Sequence, residues 1–336
     1  MMHSPAPLLA ALSDTSELGL AIGRAAKLEL VPIEERPFET GEFKLRPLSS
    51  VRGRSVFVVQ SLAGSTGASV SERLIRLLFL LFGLKDAGAE RTIAVIPYLA
   101  FARKDRRTQP RDPVTMRYVA QLLEAAAVDR VITLDAHNSA ALDNAFRVPV
   151  DHLSATPMFV DQVARLLPAA EIAVASPDVG GVKRAQIFRE LLERSLGREV
   201  EFAFIEKRRA GGAVSSGRVV GEVTDRNVVV LDDLCATGGT LIRAAHALRT
   251  AGARTVQVAF THAPQSAGLA ALAGAAAIER IVLTDSVGAA LPAELPGSGR
   301  MQVLPVAPLL AQAVARIAGG MALAPLLERW PPTDSV

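Results

Sequence analysis

The chain has 336 residues, half of them hydrophobic, with 37 Lys and Arg against 34 Asp and Glu for a net charge of +3. That length holds one large or two medium globular domains, and so small a charge, with no dense basic block, argues against a nucleic-acid partner. The longest apolar run, near "LLFLLFGL" (77–84), is too short to cross a bilayer, and no basic start precedes the apolar "LLAAL", so no secretory leader is expected.

Short apolar runs alternate with helical periodicity from one end to the other. Strands are predicted at 55–60, 92–97, 130–134, 171–175, 201–205, 228–232 and 255–260. Helices are predicted between and beyond them at 70–86, 114–127, 157–167, 181–195, 239–251 and 306–318, with apolar residues at three- and four-residue steps. Continuous apolar runs mark strands buried on both faces, so the fold class is α/β with mainly parallel sheets. The pattern occurs twice, before and after about residue 150. The polar, Pro-rich tail "ERWPPTDSV" is expected to be loosely ordered. The single cysteine, Cys235, excludes an intrachain disulfide and fits a reducing cytoplasm. With no histidine near it in sequence, it reads as a small buried spacer rather than a nucleophile.

In open α/β sheets ligands collect at the carboxyl ends of strands. "VVVLDDLCATGGTLIRAA" runs from a strand into Asp232 and Asp233, and then Thr237, Gly238, Gly239 and Thr240 turn directly into a helix. Glycines admit close approach of a ligand to the backbone, and a helix start offers free N–H groups and a positive dipole. That is a phosphate cradle. The two carboxylates would repel phosphate and suit hydroxyl groups or a metal, so a sugar phosphate meets both demands. An acidic N-cap explains one carboxylate at such a turn, not two with a Gly-Gly pair.

Three other strand ends are charged. Arg103, Lys104, Asp105, Arg106 and Arg107 follow the 92–97 strand, placed for a polyphosphate clamp rather than a merely solvated loop. "TLDAHNS" puts Asp135 and His137 at a second end and "ASPDVGGVKRA" puts Asp178 at a third; together they suit Mg²⁺ held against phosphate oxygens. Lys207, Arg208 and Arg209 stand at the base of the Gly/Ser-rich loop in "FIEKRRAGGAVSSGRVV", the makeup of a closing lid, with a plain hairpin as the alternative.

Five blocks, "VRGRSVFVVQS", "AVIPYLAFARKDRR", "RVITLDAHNSAALDNAFRVPVDHLSATP", "SPDVGGVKRA" and "VVVLDDLCATGGTL", resemble in order and spacing those of the ribose-phosphate diphosphokinase (PRPP synthetase) family, over about residues 9 to 318. The resemblance implies two phosphoribosyltransferase-like α/β domains. Residues 1–150 would form the first, with 305–336 packing back on it, and 151–304 the second, carrying the ribose-phosphate loop. It implies transfer of the diphosphoryl group of ATP to the anomeric hydroxyl of ribose 5-phosphate, giving 5-phosphoribosyl 1-diphosphate and AMP, with Mg²⁺ as cofactor. Asp232, Asp233, Ala236, Thr237, Gly238, Gly239 and Thr240 would hold the sugar phosphate. His137 and Asp178 would contact the metal, and Lys207 and Arg209 would be the catalytic basic pair of the lid. Arg103, Lys104, Asp105 and His137 would contact ATP, joined by Phe38 and Glu42 reaching in from a neighbouring subunit. A cytoplasmic homo-oligomer built on dimers, up to a hexamer, is implied as well.

The chain also departs from that family. Ala236 stands where an aspartate is usual, Thr40 replaces Asn or Asp, and Lys104 replaces a glutamine. "QPR" (109–111) and "GGMALAPLL" (319–327) lack hydroxyl and basic groups of the phosphate-activated class, so phosphate activation is not expected. Two other readings compete: a phosphoribosyltransferase that consumes PRPP, and a non-catalytic regulatory homologue. The duplicated α/β pattern opposes the first, and the retained His137, Asp178, Lys207 and Arg209 oppose the second.

Overall fold

The structure, a computed structural model, describes residues 5–65, 67–206, 209–210, 213–214, 217–288, 298–328 and 330–331. Lys207 and Arg208 of the expected lid, the side chain of Arg209, and 329 and 332–336 of the tail lie outside the described part.

The first part of the chain contains strands β1 (Leu8–Ala11), β2 (Glu29–Leu30), β3 (Ile33–Pro37), β4 (Phe43–Pro47), β5 (Ser55–Val59), β6 (Arg91–Ile96), β7 (Arg130–Leu134) and β8 (Val150–Leu153). Its helices are α1 (Ser16–Ala26), α2 (Val70–Asp86), α3 (Thr115–Ala125) and α4 (Ser139–Ala145). A six-stranded parallel sheet runs β2-β1-β5-β6-β7-β8, and β3 and β4 form a separate antiparallel hairpin. Alternation explains the continuous apolar runs: Val56 and Val58 enter the core under α2, while Phe57 and Val59 enter the opposite one. Neighbouring strand side chains point to opposite faces, and both faces are covered. Helix α2 starts where the sequence says, because Ser69 Oγ accepts the Glu72 N–H at 3.1 Å, half of a Ser-x-x-Glu capping arrangement.

The second part holds α5 (Thr156–Leu166), β9 (Ile172–Ser176), α6 (Val182–Leu196), β10 (Glu201–Glu206), the two-residue strands β11 (Arg209–Ala210) and β12 (Ala213–Val214), and β13 (Arg218–Val220). Then come β14 (Asn227–Leu234), α7 (Gly239–Thr250), β15 (Thr255–His262), α8 (Ser266–Gly274), β16 (Arg280–Thr284), β17 (Met301–Leu304), α9 (Ala307–Ala318) and α10 (Pro325–Glu328). The seven-stranded sheet runs β13-β10-β9-β14-β15-β16-β17, parallel except for β13. The fold is α/β with mainly parallel sheets. Every predicted strand and helix is present, with ends shifted by at most two residues. Helix α9 packs on α1 and α10 on α5, and one apolar cluster joins Leu9 and Phe57 of the first sheet to Val229 and Leu231 of the second through Leu310 and Val314. Among the described residues no helix is long and apolar enough to cross a membrane.

Strand order fixes where a ligand can sit. From β9 the chain builds outward to β10 and β13, then returns to lay β14 on the other side of β9. The loops after β9 and β14 leave in opposite directions and open a crevice at the carboxyl end of the sheet.

Candidate functional site

An open cleft of about 1210 Å³ occupies that crevice and extends to the carboxyl end of β7 in the first sheet. Arg103, Asp105, His137, Asp178, Asp232, Asp233, Ala236, Thr237, Gly238 and Thr240 all line it. Segments far apart in sequence therefore converge on one cavity.

The turn between β14 and α7 is built to expose backbone. Gly238 precedes the helix with φ of +77°, a left-handed conformation that a side chain would strain. Helix α8 supports the turn from behind: Gly268 lies so close that a Cβ there would overlap the Ala236 carbonyl. Cys235 is buried as the sequence suggests, and burial pushes its thiol up to about 12. Its N–H donates to the His262 carbonyl at 2.8 Å. The free N–H groups at the start of α7 thus face the cleft beside Ala236 without an acidic side chain to repel an anion.

The acidic pair is asymmetric. Asp233 is only 5 % exposed; its Oδ2 accepts from His137 Nδ1 at 2.8 Å and its Oδ1 from Arg184 Nη1 at 3.0 Å. Burial works against its charge, yet the His137 hydrogen bond and the Arg184 cation hold its carboxyl well below the usual range. Asp232 Oδ1 accepts the Asp233 N–H at 2.9 Å and lies 3.4 Å from Arg184 Nη1. Burial and the neighbouring Asp233 charge push its carboxyl up. The hydrogen bond to Asp233 raises the pKa of His137 and fixes the ring with its Nδ1 proton toward the carboxylate. Asp178 Oδ1 caps the short turn after β9, accepting from Gly180 and Gly181 N–H at 3.0 and 3.3 Å.

Two strand-end residues part company. Asp135 also borders the cleft, but its carboxylate is engaged from within the protein. It is 6 % exposed and accepts from Ser154 Oγ at 2.7 Å, Ala155 N at 2.9 Å and Thr261 Oγ1 at 2.5 Å. Its carboxylate is committed to the protein. Asp105 stays at the cleft, where its Oδ2 accepts from Asn138 Nδ2 at 2.6 Å. Lys104 turns away to Asp112 and Thr108 within its own loop, and Phe38 and Glu42 stand on the β3–β4 hairpin, where Arg36 covers the Phe38 ring at 5.4 Å. None of these last three lines this chain's cleft. Arg184, His152 and Gly268 are site residues that sequence reasoning did not single out. His152 Nε2 accepts the Ala136 N–H at 2.9 Å, and burial lowers its pKa, which keeps that nitrogen an acceptor.

Among the described residues no group of three His, Cys, Asp or Glu side chains converges as a metal cage. A cation here would take few protein ligands, from Asp178 and the second nitrogen of His137, and most of its oxygens from a phosphorylated substrate and water. That suits a hard, well-hydrated ion, and a histidine whose other nitrogen donates to a carboxylate is arranged as metal-bound histidines are.

The comparisons agree with this geometry. The profile of the N-terminal domain of ribose phosphate pyrophosphokinase matches residues 8–127, and that of the phosphoribosyl transferase domain matches residues 158–292. The chain is 36 % identical to the ribose-phosphate pyrophosphokinase of Granulibacter bethesdensis, over 95 % of this chain and 99 % of that one. It is 34 % identical to the enzyme of the same name from Haemophilus ducreyi, over 94 % and 96 %. Its fold superposes on the crystal structure of phosphoribosylpyrophosphate synthetase from Mycobacterium smegmatis with a TM-score of 0.81 and 30 % identity, over 94 % of this chain and 99 % of the other. With the blocks that carry the cleft in register along nearly the whole length, the chain belongs to the ribose-phosphate pyrophosphokinase family.

Proposed function

We propose that the chain is an active ribose-phosphate diphosphokinase, transferring the β,γ-diphosphoryl group of ATP to the anomeric hydroxyl of ribose 5-phosphate. The observation that carries this reading is a single cleft in which the acidic pair and glycine turn of β14 face Arg103, Asp105 and His137 of the other half. The turn at Ala236, Thr237, Gly238, Gly239 and Thr240 would take the 5-phosphate on backbone N–H groups, and Asp232 and Asp233 the ring hydroxyls. Arg103 and His137 would hold the triphosphate above them. The anomeric oxygen attacks the β-phosphorus, the bond from that phosphorus to the bridging oxygen of the α-phosphate breaks, AMP leaves, and the hydroxyl proton passes to solvent or a cleft acceptor. Such a transfer asks the protein for positioning and charge stabilisation. No covalent nucleophile is needed, in keeping with a buried Cys235.

Lys207 and Arg209, which follow β10 in the sequence, would bring cationic charge to the transferring group. A divalent cation, Mg²⁺, would supply further charge neutralisation when bound, held by Asp178 and His137. Phe38 and Glu42 point to a homo-oligomer, because they serve a nucleotide only in a neighbour's cleft; a dimer-based assembly, up to a hexamer, meets that need. The lone thiol fits a cytoplasmic setting. For domain limits at 1–150 and 151–304, with 305–336 returning to the first unit, the support is the two separate sheets and the packing of α9 on α1, although β8 carries the first sheet on to Leu153 and α10 packs on α5.

The test is AMP formation from ATP in phosphate-free buffer. Release that requires both ribose 5-phosphate and Mg²⁺, and that added phosphate does not stimulate several-fold, is the expected result. AMP released equally without the sugar would defeat the assignment.

A further inference from the structure

We propose that Arg184 is a positioning residue whose guanidinium holds both carboxylates of the acidic pair and the His137 backbone, and so sets the sugar side of the cleft against the nucleotide side. The inference rests on the sugar-phosphate reading of the cleft and assigns a residue that reading leaves idle.

Arg184 is the third residue of α6, the helix that follows the Asp178 turn. From there its Nη1 lies 3.0 Å from Asp233 Oδ1 and 3.4 Å from Asp232 Oδ1, and its Nη2 lies 3.4 Å from the His137 carbonyl oxygen. One planar group thus meets three acceptors from β14 and from the loop after β7. The side chain is only 20 % exposed although it stands on the cleft wall.

Two carboxylates on consecutive residues at a half-buried strand end repel each other, and burial makes the repulsion costlier. A cation placed between them relieves it without filling the cleft. Only an arginine reaches all three acceptors at once, because its donors are spread over a rigid fork, whereas a lysine is a point charge on a flexible stem. His137 donates to the far oxygen of Asp233, so Asp233 is gripped from both sides and its rotamer is fixed. Removing Arg184 leaves Asp232 without its counter-charge and frees the His137 loop from α6. The sugar hydroxyls then meet carboxylates that are no longer aimed, and the nucleotide contacts lose their reference to the sugar.

The experiment uses the full chain. Ribose 5-phosphate affinity is measured by calorimetry, and KM for each substrate by steady-state assay, in wild type, Arg184→Lys, Arg184→Gln, Asp232→Asn and the Arg184→Gln/Asp232→Asn double variant. Arg184→Gln should weaken ribose 5-phosphate at least about ten-fold, with a smaller effect on the KM for ATP. Arg184→Lys should recover part of the loss, since the charge returns without the fork. In the Asp232→Asn background one of the two charges that Arg184 balances is gone and only that of Asp233 remains, so adding Arg184→Gln should cost clearly less than it does in wild type. A strictly additive cycle would overturn the proposal. So would a loss confined to ATP, which would make Arg184 a direct ligand of the nucleotide phosphates. Should Arg184→Gln fail to fold, Arg184→Lys replaces it in the cycle with the same criteria. If wild type does not bind ribose 5-phosphate, it is the reading of the site that fails. The same cycle on the thermal midpoint then judges the contact, coupling supporting it and additivity overturning it.

Discussion

At Ala236 a methyl group stands beside the exposed backbone of the phosphate turn, and the residue before it carries the chain's one thiol. Cys235 sits where a nucleophile would be tempting, yet burial pushes its thiol up to about 12, far above the range in which a thiolate forms. The nearest histidine backbone, that of His262, has its ring nitrogens engaged by Ser286 Oγ and the Leu134 carbonyl, so it cannot serve as a base for the sulfur. Iodoacetamide at neutral pH should therefore leave activity unchanged and add no label to the native protein, while denatured protein takes up one equivalent, as read by mass spectrometry. Labelling of the folded chain with loss of AMP formation would reopen a covalent role. Single residues show where sequence reading ends. Asp135 and His137 stand two apart at one strand end, and both look available. Both border the cleft, and only the structure tells that the Asp135 carboxylate, with φ of +38°, is taken up by Ser154 and Thr261 while the His137 ring donates to Asp233 and keeps its second nitrogen. Arg184 lay inside a recognised block, but a basic residue in a first helical turn usually faces water, so nothing in its spacing marked it.

At the scale of elements, legibility followed periodicity. Strands β5, β6, β7, β9, β14 and β15 read clearly because burial on both faces makes an unbroken apolar run. Helix α8 was silent: "SAGLAALAG" is small and apolar all round, so it has no polar face to define a period. The β3–β4 hairpin was silent for the opposite reason, being half-exposed and laced with ions such as Arg46–Glu34 at 2.7 Å. Strands β2 and β8, with two and four residues, are too short to show alternation. The unmarked α8 nevertheless shapes the site, because its Gly268 is the surface on which the phosphate turn rests. We expect Gly268→Ala to push the Ala236 carbonyl away and disorder the N–H cradle. The KM for ribose 5-phosphate should rise about ten-fold or more, since misplacement by an ångström costs that much in positioning, while the KM for ATP changes little. Equal effects on both substrates in steady-state kinetics would mean that α8 supports the fold in general rather than this turn.

At the scale of the whole molecule, the two sheets each have a crevice where strand order reverses, and among the described residues it is the second that opens into the cleft. In the first sheet the reversal lies between β1 and β5. There Thr15 Oγ1 reaches the Val59 carbonyl at 3.0 Å, the buried Arg73 reaches the Ser61 carbonyl at 3.3 Å, and Ser61 Oγ donates to the Ser286 carbonyl of the other half at 2.9 Å. Polar side chains and Ser286, just after β16, bridge the first crevice, and the first half serves the open cleft from the ends of β6 and β7 instead. Buried cross-links hold that arrangement: Thr261 to Asp135, and His262 Nε2 to the Leu134 carbonyl at 2.9 Å. A carbonyl only accepts, so Nε2 carries the proton; Ser286 Oγ lies between Nδ1 at 2.8 Å and the Thr261 carbonyl at 3.0 Å, and burial favours the neutral ring, whose bare Nδ1 takes a share of the one hydroxyl proton. Burial lowers the pKa of His262 in keeping with that tautomer. Its folded pKa lies below the ordinary histidine value near 6.5, so on acidification the unfolded chain takes up a proton that the folded chain refuses. Stability from this site is therefore full above that value and lost as the pH falls below it. His152 acts in the same sense and His137 in the opposite one, but both are common to a comparison of wild type with His262→Gln. Between about pH 7.5 and pH 5.5 the wild type should lose unfolding free energy more steeply than the variant, by up to about 1.4 kcal/mol per pH unit once the ring titrates in the unfolded state. Denaturant titrations at the two pH values measure this directly. Parallel slopes would mean that His262 binds its proton equally in both states, and the joint between the halves would then owe nothing to a neutral imidazole.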